Sequence, residues 1–196
     1  MFNQLLRSII LVGSAAMPIW AVVRLLLAYL AKERGVRIDW SRELLLTAFF
    51  AYLVMTGAMT VAPTASSING EAGYNLVPIV NLIDDIRLLG GPPEAVKYEL
   101  ENFFGNLFLL FPLGIFLPVL WPRFRCVWNV LYAGFATAAF IEITQCVSQF
   151  AGSYRVADID DVILNTLGAC LGFYVFVQSS RFSVPAGRRS KLKLEL

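Results

Sequence analysis

Apolar residues in this chain fall into long blocks, with polar residues confined to the gaps and to single helical faces. Five blocks approach or exceed the roughly 18 residues that a spanning helix needs. They predict spans at about 9–31, 44–63, 103–121, 126–149 and 159–179, and hence an all-α polytopic transmembrane helix bundle. The first block is interrupted by Arg24, is too long for the apolar region of a signal peptide, and has no small-residue cleavage site after it. It reads as a retained first helix. The chain divides accordingly into two amino-terminal spans with a basic loop (1–63), an acidic loop (64–102), a three-helix core (103–179) and a basic tail (180–196).

Within the long loop, Ile79, Leu82, Ile83, Ile86 and Leu89 recur at helical spacing, with Asp84, Asp85 and Arg87 off that face. This pattern predicts a short helix lying in the interface plane or capping the bundle. Gly90, Gly91, Pro92 and Pro93 then break the chain, and Pro93 is placed to start a helix that runs into the third span.

Composition agrees with a membrane protein: 58% of the 196 residues are hydrophobic and only 15% are charged. A soluble domain carries about a quarter charged residues. Histidine is absent, which excludes Ser-His-Asp and Cys-His chemistry and any histidine-ligated metal. Cys126, Cys146 and Cys170 form no CxxC pair, so no zinc knuckle or disulfide framework is indicated. Cys146 and Cys170, at different depths, read as small buried hydrophobes. No phosphate-binding loop, dinucleotide fingerprint or basic-aromatic stripe appears, so neither a nucleotide cofactor nor a nucleic-acid partner is expected.

Charge sets the expected orientation. One side of the bundle carries Lys32, Arg34, Arg37, Arg42, Arg123, Arg125, Arg181, Arg188, Arg189, Lys191 and Lys193. The other carries Arg7, Arg87, Lys97 and Arg155, while Arg24 lies inside the first span, its stem expected to snorkel. The positive-inside rule then predicts an external amino terminus and a cytoplasmic carboxyl tail in a multi-pass cell-membrane protein.

The polar residues inside the spans are the candidate chemistry, because an ionisable group in hydrocarbon is costly. Glu142 lies about 10 Å below the outer end of the fourth span, with Gln145 and Gln149 on its face and Ala138 and Gly134 continuing that face inward. On the fifth span, Asp158, Asp161 and Asn165 share a face with the GxxxG pair Gly168 and Gly172. The third span adds Asn102 and Asn106, then Pro112 and Gly114, where proline frees a carbonyl and allows a kink. All three stripes are polar at the external end and small-residue at the inner end. They predict an outward cavity formed by Asn102, Asn106, Glu142, Gln145, Arg155, Asp158, Asp161 and Asn165, electronegative with one internal ion pair through Arg155. Asp160 is expected to face solvent and cap the fifth helix. The bland alternative is interhelical hydrogen-bond glue, worth about 1 kcal/mol for each polar residue; it suits Asn106 and Asn165 better than Glu142, since glue requires no carboxylate.

The ordered set Asn75-Leu-Val-Pro78, Asn106 with Phe111-Pro112-Leu113-Gly114, Ile141-Glu142 with Gln145, Arg155-x-x-Asp158-x-x-Asp161, and Asn165-x-x-Gly168-x-x-x-Gly172 resembles the VanZ-like family. The resemblance runs from about Asn75 to Gly172; the first two spans match it only in being apolar. It implies a multi-span bacterial membrane protein, in a family whose founding member is associated with resistance to the lipoglycopeptide teicoplanin.

Two functional classes follow. A binding module would hold an envelope lipid head group, a lipid-linked wall precursor or a lipoglycopeptide, through the amides of Asn106, Gln145 and Asn165 and the carboxylates of Glu142 and Asp161. An intramembrane enzyme would use Glu142 as its best catalytic candidate in acid–base work on an envelope lipid. Alternatively, Glu142, Asp158 and Asp161 would hold Mg²⁺ or Ca²⁺, although no known metal motif is present. A transporter fits less well, because five spans without internal duplication do not suit inverted-repeat transport, while a scaffold that positions an envelope enzyme stays open. The GxxxG pair could equally serve a homo-oligomer.

Overall fold

The computed structural model describes residues 2–61, 74–79, 90–149 and 157–183. Among these residues it is all-α apart from one pair of two-residue strands. Five helical segments are long and apolar enough to cross a membrane: Leu6–Glu33, Trp40–Thr60, Pro93–Leu120, Val127–Ser148 and Ile159–Arg181. The chain forms two compact units, residues 1–69 and 70–196.

The first unit is a hairpin of α1 (Phe2–Glu33) and α2 (Trp40–Val61). Gly35, at φ 69°, ends α1: its N–H bonds the Lys32 carbonyl and that of Val36 bonds Ala31, a left-handed cap that glycine adopts without a Cβ penalty. Asp39 starts α2 by accepting the N–H groups of Ser41 and Arg42 at 3.0 and 3.3 Å. Arg24, rather than snorkelling alone, meets Glu43 across the hairpin, with Nε donating to Oε2 at 2.7 Å. Its guanidinium lies over Trp20, which stacks on Phe50 at 4.3 Å and donates its indole N–H to Thr47. Charge inside an apolar hairpin is thus neutralised locally.

In the second unit, α3 (Pro93–Leu109), α4 (Phe111–Leu120), a 3-10 turn at Pro122–Phe124, α5 (Val127–Ser148) and α6 (Ile159–Ser183) form the bundle. Pro93 occupies the first turn of α3, where its missing N–H costs nothing. The third span is broken at Leu110, and Pro112 falls in the first turn of the new helix α4. The proline that was expected to kink one helix therefore separates two.

Helix α6 is central, packed by α3, α4 and α5. Beyond Asn165 it meets α3–α4 backbone to backbone. A Cβ at Gly168 would collide with the Leu107 carbonyl, one at Gly172 with that of Phe111, and one at Gly114 with that of Ala169. Gly134 of α5 brings that helix onto Ala169, where a Cβ would stand 2.9 Å from the alanine methyl. Small residues make this close approach, and the dispersion contacts that come with it, possible. The Gly168–Gly172 face is thereby filled within the chain. The predicted interfacial helix at Ile79–Leu89, except for Ile79, lies outside the described residues, as do Arg155 and residues 184–196.

Candidate functional site

At the start of α6 the packing changes from carbonyl-on-glycine to side-chain hydrogen bonds. Two short strands, β1 (Tyr74–Asn75) and β2 (Ala157–Asp158), pair in parallel with Asn75 opposite Asp158. The Asn75 amide donates to Asp158 Oδ1 at 2.9 Å, and Asn75 Oδ1 accepts the Val77 N–H at 3.2 Å, the local turn that asparagine favours. This ties a strap, residues 74–79, to the head of the helix. At its far end the Ile79 N–H donates to Asp160 Oδ1 at 2.5 Å. Ile79 has a φ of 72°, a left-handed conformation that a β-branched residue adopts only when its surroundings impose it.

Asp158 is the residue before α6, so its carboxylate is placed to accept the orphan N–H of Asp160, at 2.8 Å. The cap is therefore Asp158. Asp160 does not face solvent: it is 3% exposed and turned onto the strap. The expectation failed because it assigned the cap two residues too far along the chain, where the side chain instead meets a segment about eighty residues earlier in sequence.

Glu142 approaches from α5. It is 8% exposed, six residues before the end of its helix, and Oε2 accepts the Asp158 N–H at 3.0 Å. Its carboxylate so fastens the carboxyl-terminal end of α5 to the head of α6, where helical N–H groups and the macrodipole favour negative charge. From α3, the Asn106 amide donates to Asp161 Oδ1. One turn further along α6, Asn165 is 1% exposed, and neither its Oδ1 nor its Nδ2 has a hydrogen-bond partner among the described residues.

The expected residues thus fall into groups. Asn106 is joined to Asp161 and Glu142 to Asp158, with Asn165 on the same helix one turn inside Asp161. Gln145 is half-buried one turn beyond Glu142 on α5. Asn102 is exposed on α3, one turn before Asn106. Asn75 and Asp160 were missing from the expected set although both bond into it. Asn75 opened the first motif of the family resemblance, and that was the one signal available for it. Cys126, Cys146 and Cys170 are free thiols, each half-buried rather than fully so. Among the described residues, no three of His, Cys, Asp and Glu stand close enough together to hold a metal ion.

A family model described as VanZ/LLP1 matches residues 46–181. It reaches from α2 through nearly all of α6, and so takes in more of the amino-terminal unit than the motifs alone suggested. No curated protein and no solved structure matches the chain. With more than half of its length matched, including every element that builds the hydrogen-bonded end of the bundle, this chain belongs to the VanZ/LLP1 family.

Proposed function

We propose that the polar end of the second unit is an outward-facing binding site for the head group of an envelope lipid, a lipid-linked wall precursor or a lipoglycopeptide. The observation that carries this reading is the gathering of Asn75, Asn106, Glu142, Asp158, Asp160 and Asp161 around the head of a single apolar helix. Ionisable groups at the end of a bundle are costly to keep, and a packing role alone is met more cheaply, as the glycine contacts of the inner half show. Carboxylates at the helix head suit a ligand that donates hydrogen bonds, such as an amine or hydroxyl, and disfavour a bare phosphate.

The excess of Lys and Arg on the loops at the opposite end supports the orientation with the amino terminus outside and the site towards the envelope. Arg155, three residues before Asp158 in sequence, would add the cation of the site, and Asn102 and Gln145 would extend it by one helical turn on either side. A protein that holds a wall precursor or a lipoglycopeptide at this surface would alter the drug's access to its target, which is the route by which it would contribute to glycopeptide resistance.

The test is native mass spectrometry of the full chain incubated with lipid extract from its own envelope, beside Glu142→Gln. Glutamine keeps an oxygen to accept the Asp158 N–H, so the variant retains the α5–α6 tie while losing the charge. An unmodified lipid retained by the native protein and lost by the variant is the expected result. A chemically altered lipid, left intact by the variant, would make the protein an enzyme and Glu142 a catalytic residue.

A further inference from the structure

Asn165 stands out from the network beside it. Asn106, Asp158, Asp160 and Asp161 all make hydrogen bonds, whereas both polar atoms of the Asn165 carboxamide are buried and without partners among the described residues. A buried amide in that state has given up its hydration for nothing. Leucine has the same branched outline and would fill the place without that loss. The carboxamide is therefore a liability in the state described, and it lies one turn inside Asp161 on the face that α3 covers.

We propose that Asn165 is the recognition residue for sugar hydroxyls of a head group that enters between α3 and α6. This rests on the binding function proposed above and adds the chemical class of the ligand. The unpaired groups are one acceptor and one amino donor, so the partner must both donate and accept. A phosphate or carboxylate by itself only accepts, an ammonium by itself only donates, and a choline head group donates nothing; a hydroxyl does both through one atom. Neighbouring hydroxyls on a sugar ring present the pair at fixed spacing, and Asp161 and Glu142 accept from further hydroxyls while disfavouring an added negative charge. Entry is through α3. None of its residues is buried, while five of the ten in α4 are, and the helix breaks between them at Leu110. Displacing the outer turns of α3 about that break, with release of Asn106 from Asp161, uncovers Asn165.

The experiment uses the full chain, purified in a detergent without hydroxyl groups and placed in phosphatidylcholine nanodiscs with or without a neutral glucosyl diacylglycerol. Melting temperature and lipid retention are read for the native protein, Asn165→Leu, Asn165→Ala and Glu142→Gln. The glucolipid is expected to raise the native melting temperature and to be retained. In phosphatidylcholine alone, Asn165→Leu should melt at or above the native protein, by on the order of 4 °C, and gain nothing from the glucolipid. Asn165→Ala, the smaller replacement, must likewise fold and lose the glucolipid response. A glucolipid response that survives both Asn165 variants overturns the assignment of the residue, and so does a fall in melting temperature for both variants in the absence of ligand, which would mark a structural role. A native protein that ignores the glucolipid but retains another envelope lipid, lost in Glu142→Gln, refutes the sugar class and leaves the binding function standing. If no lipid at all is retained, the binding function falls with it.

Discussion

The two halves of α6, outer at its head in the proposed orientation and inner beyond Asn165, solve one packing problem in opposite ways. Below Asn165 the helix presents Gly168 and Gly172, and its neighbours come so close that carbonyl oxygens fill the space a side chain would take. Above it, Asp158, Asp160 and Asp161 hold three different segments through hydrogen bonds: the strap, α5 and α3. The first mode is cheap in desolvation and tolerates no added atoms. The second is expensive in desolvation, and each bond can be opened and remade singly. A bundle that needed only to stay shut could have used the first mode throughout. The contrast sets close glycine packing at one end of α6 against side-chain hydrogen bonds at the other.

The largest effect should come from breaking the inner mode. Gly114→Val places a branched side chain against the Ala169 carbonyl, part of a helix backbone that cannot turn aside. Overpacking of this kind reaches about 3 kcal/mol or more, a large share of an ordinary folding stability. Little monodisperse full-length protein should be recovered, with a sharply lowered melting temperature. A variant that melts like the native chain would show that the inner half is looser than its geometry implies.

An intermediate effect belongs to the outer mode. Asp161→Ala strips the Asn106 amide of its acceptor and should cost about 1–3 kcal/mol. Asp161→Asn keeps an oxygen in place and should recover much of that loss. A double-mutant cycle with Asn106→Ala isolates the pair, and the coupling should vanish once either partner is gone. A cycle with no coupling would mean that α3 is held by packing alone, and the two halves of the bundle would then differ less than proposed.

This division also explains what the sequence could disclose. The five spans were legible because apolar length is a local property, and the glycine stripe was legible because helical periodicity is local too. Glu142, Asp161 and Asn165 announced themselves as polar residues at apolar depth. The strap did not, because Asn75 and Asp158 are 83 residues apart and nothing in the spacing of either predicts a two-residue parallel pairing. Asp160 was misplaced for a related reason. The fifth span was expected to start at 159, where α6 does start, but a carboxylate just before a helix and one in its first turn both suit a helix head, and only the contact of Asp160 with the strap tells them apart. The break at Leu110 lay between these cases, since Pro112 signalled a disturbance without saying whether the helix would bend or stop.

The smallest effect sharpens the comparison most, because it separates local from global stability. Asn75→Ala removes both the bond to Asp158 and the turn that orders Val77, but it touches no helix-to-helix contact of the inner half. The expected cost to the whole fold is about 1 kcal/mol. The local consequence should be larger than that figure suggests, because Ile79 holds a strained left-handed conformation through its bond to Asp160. With the strap loosened at Asn75, that strain has less to oppose it, and the Ile79 N–H should open more often. Hydrogen exchange read at Val77 and Ile79 should therefore speed up markedly, while amides of α6 from Thr166 to Phe173 stay as protected as in the native chain. Equal acceleration in both regions would mean that the strap and the glycine-packed core open together. The outer end could then not adjust by itself, and a head group could enter only at the expense of the whole bundle.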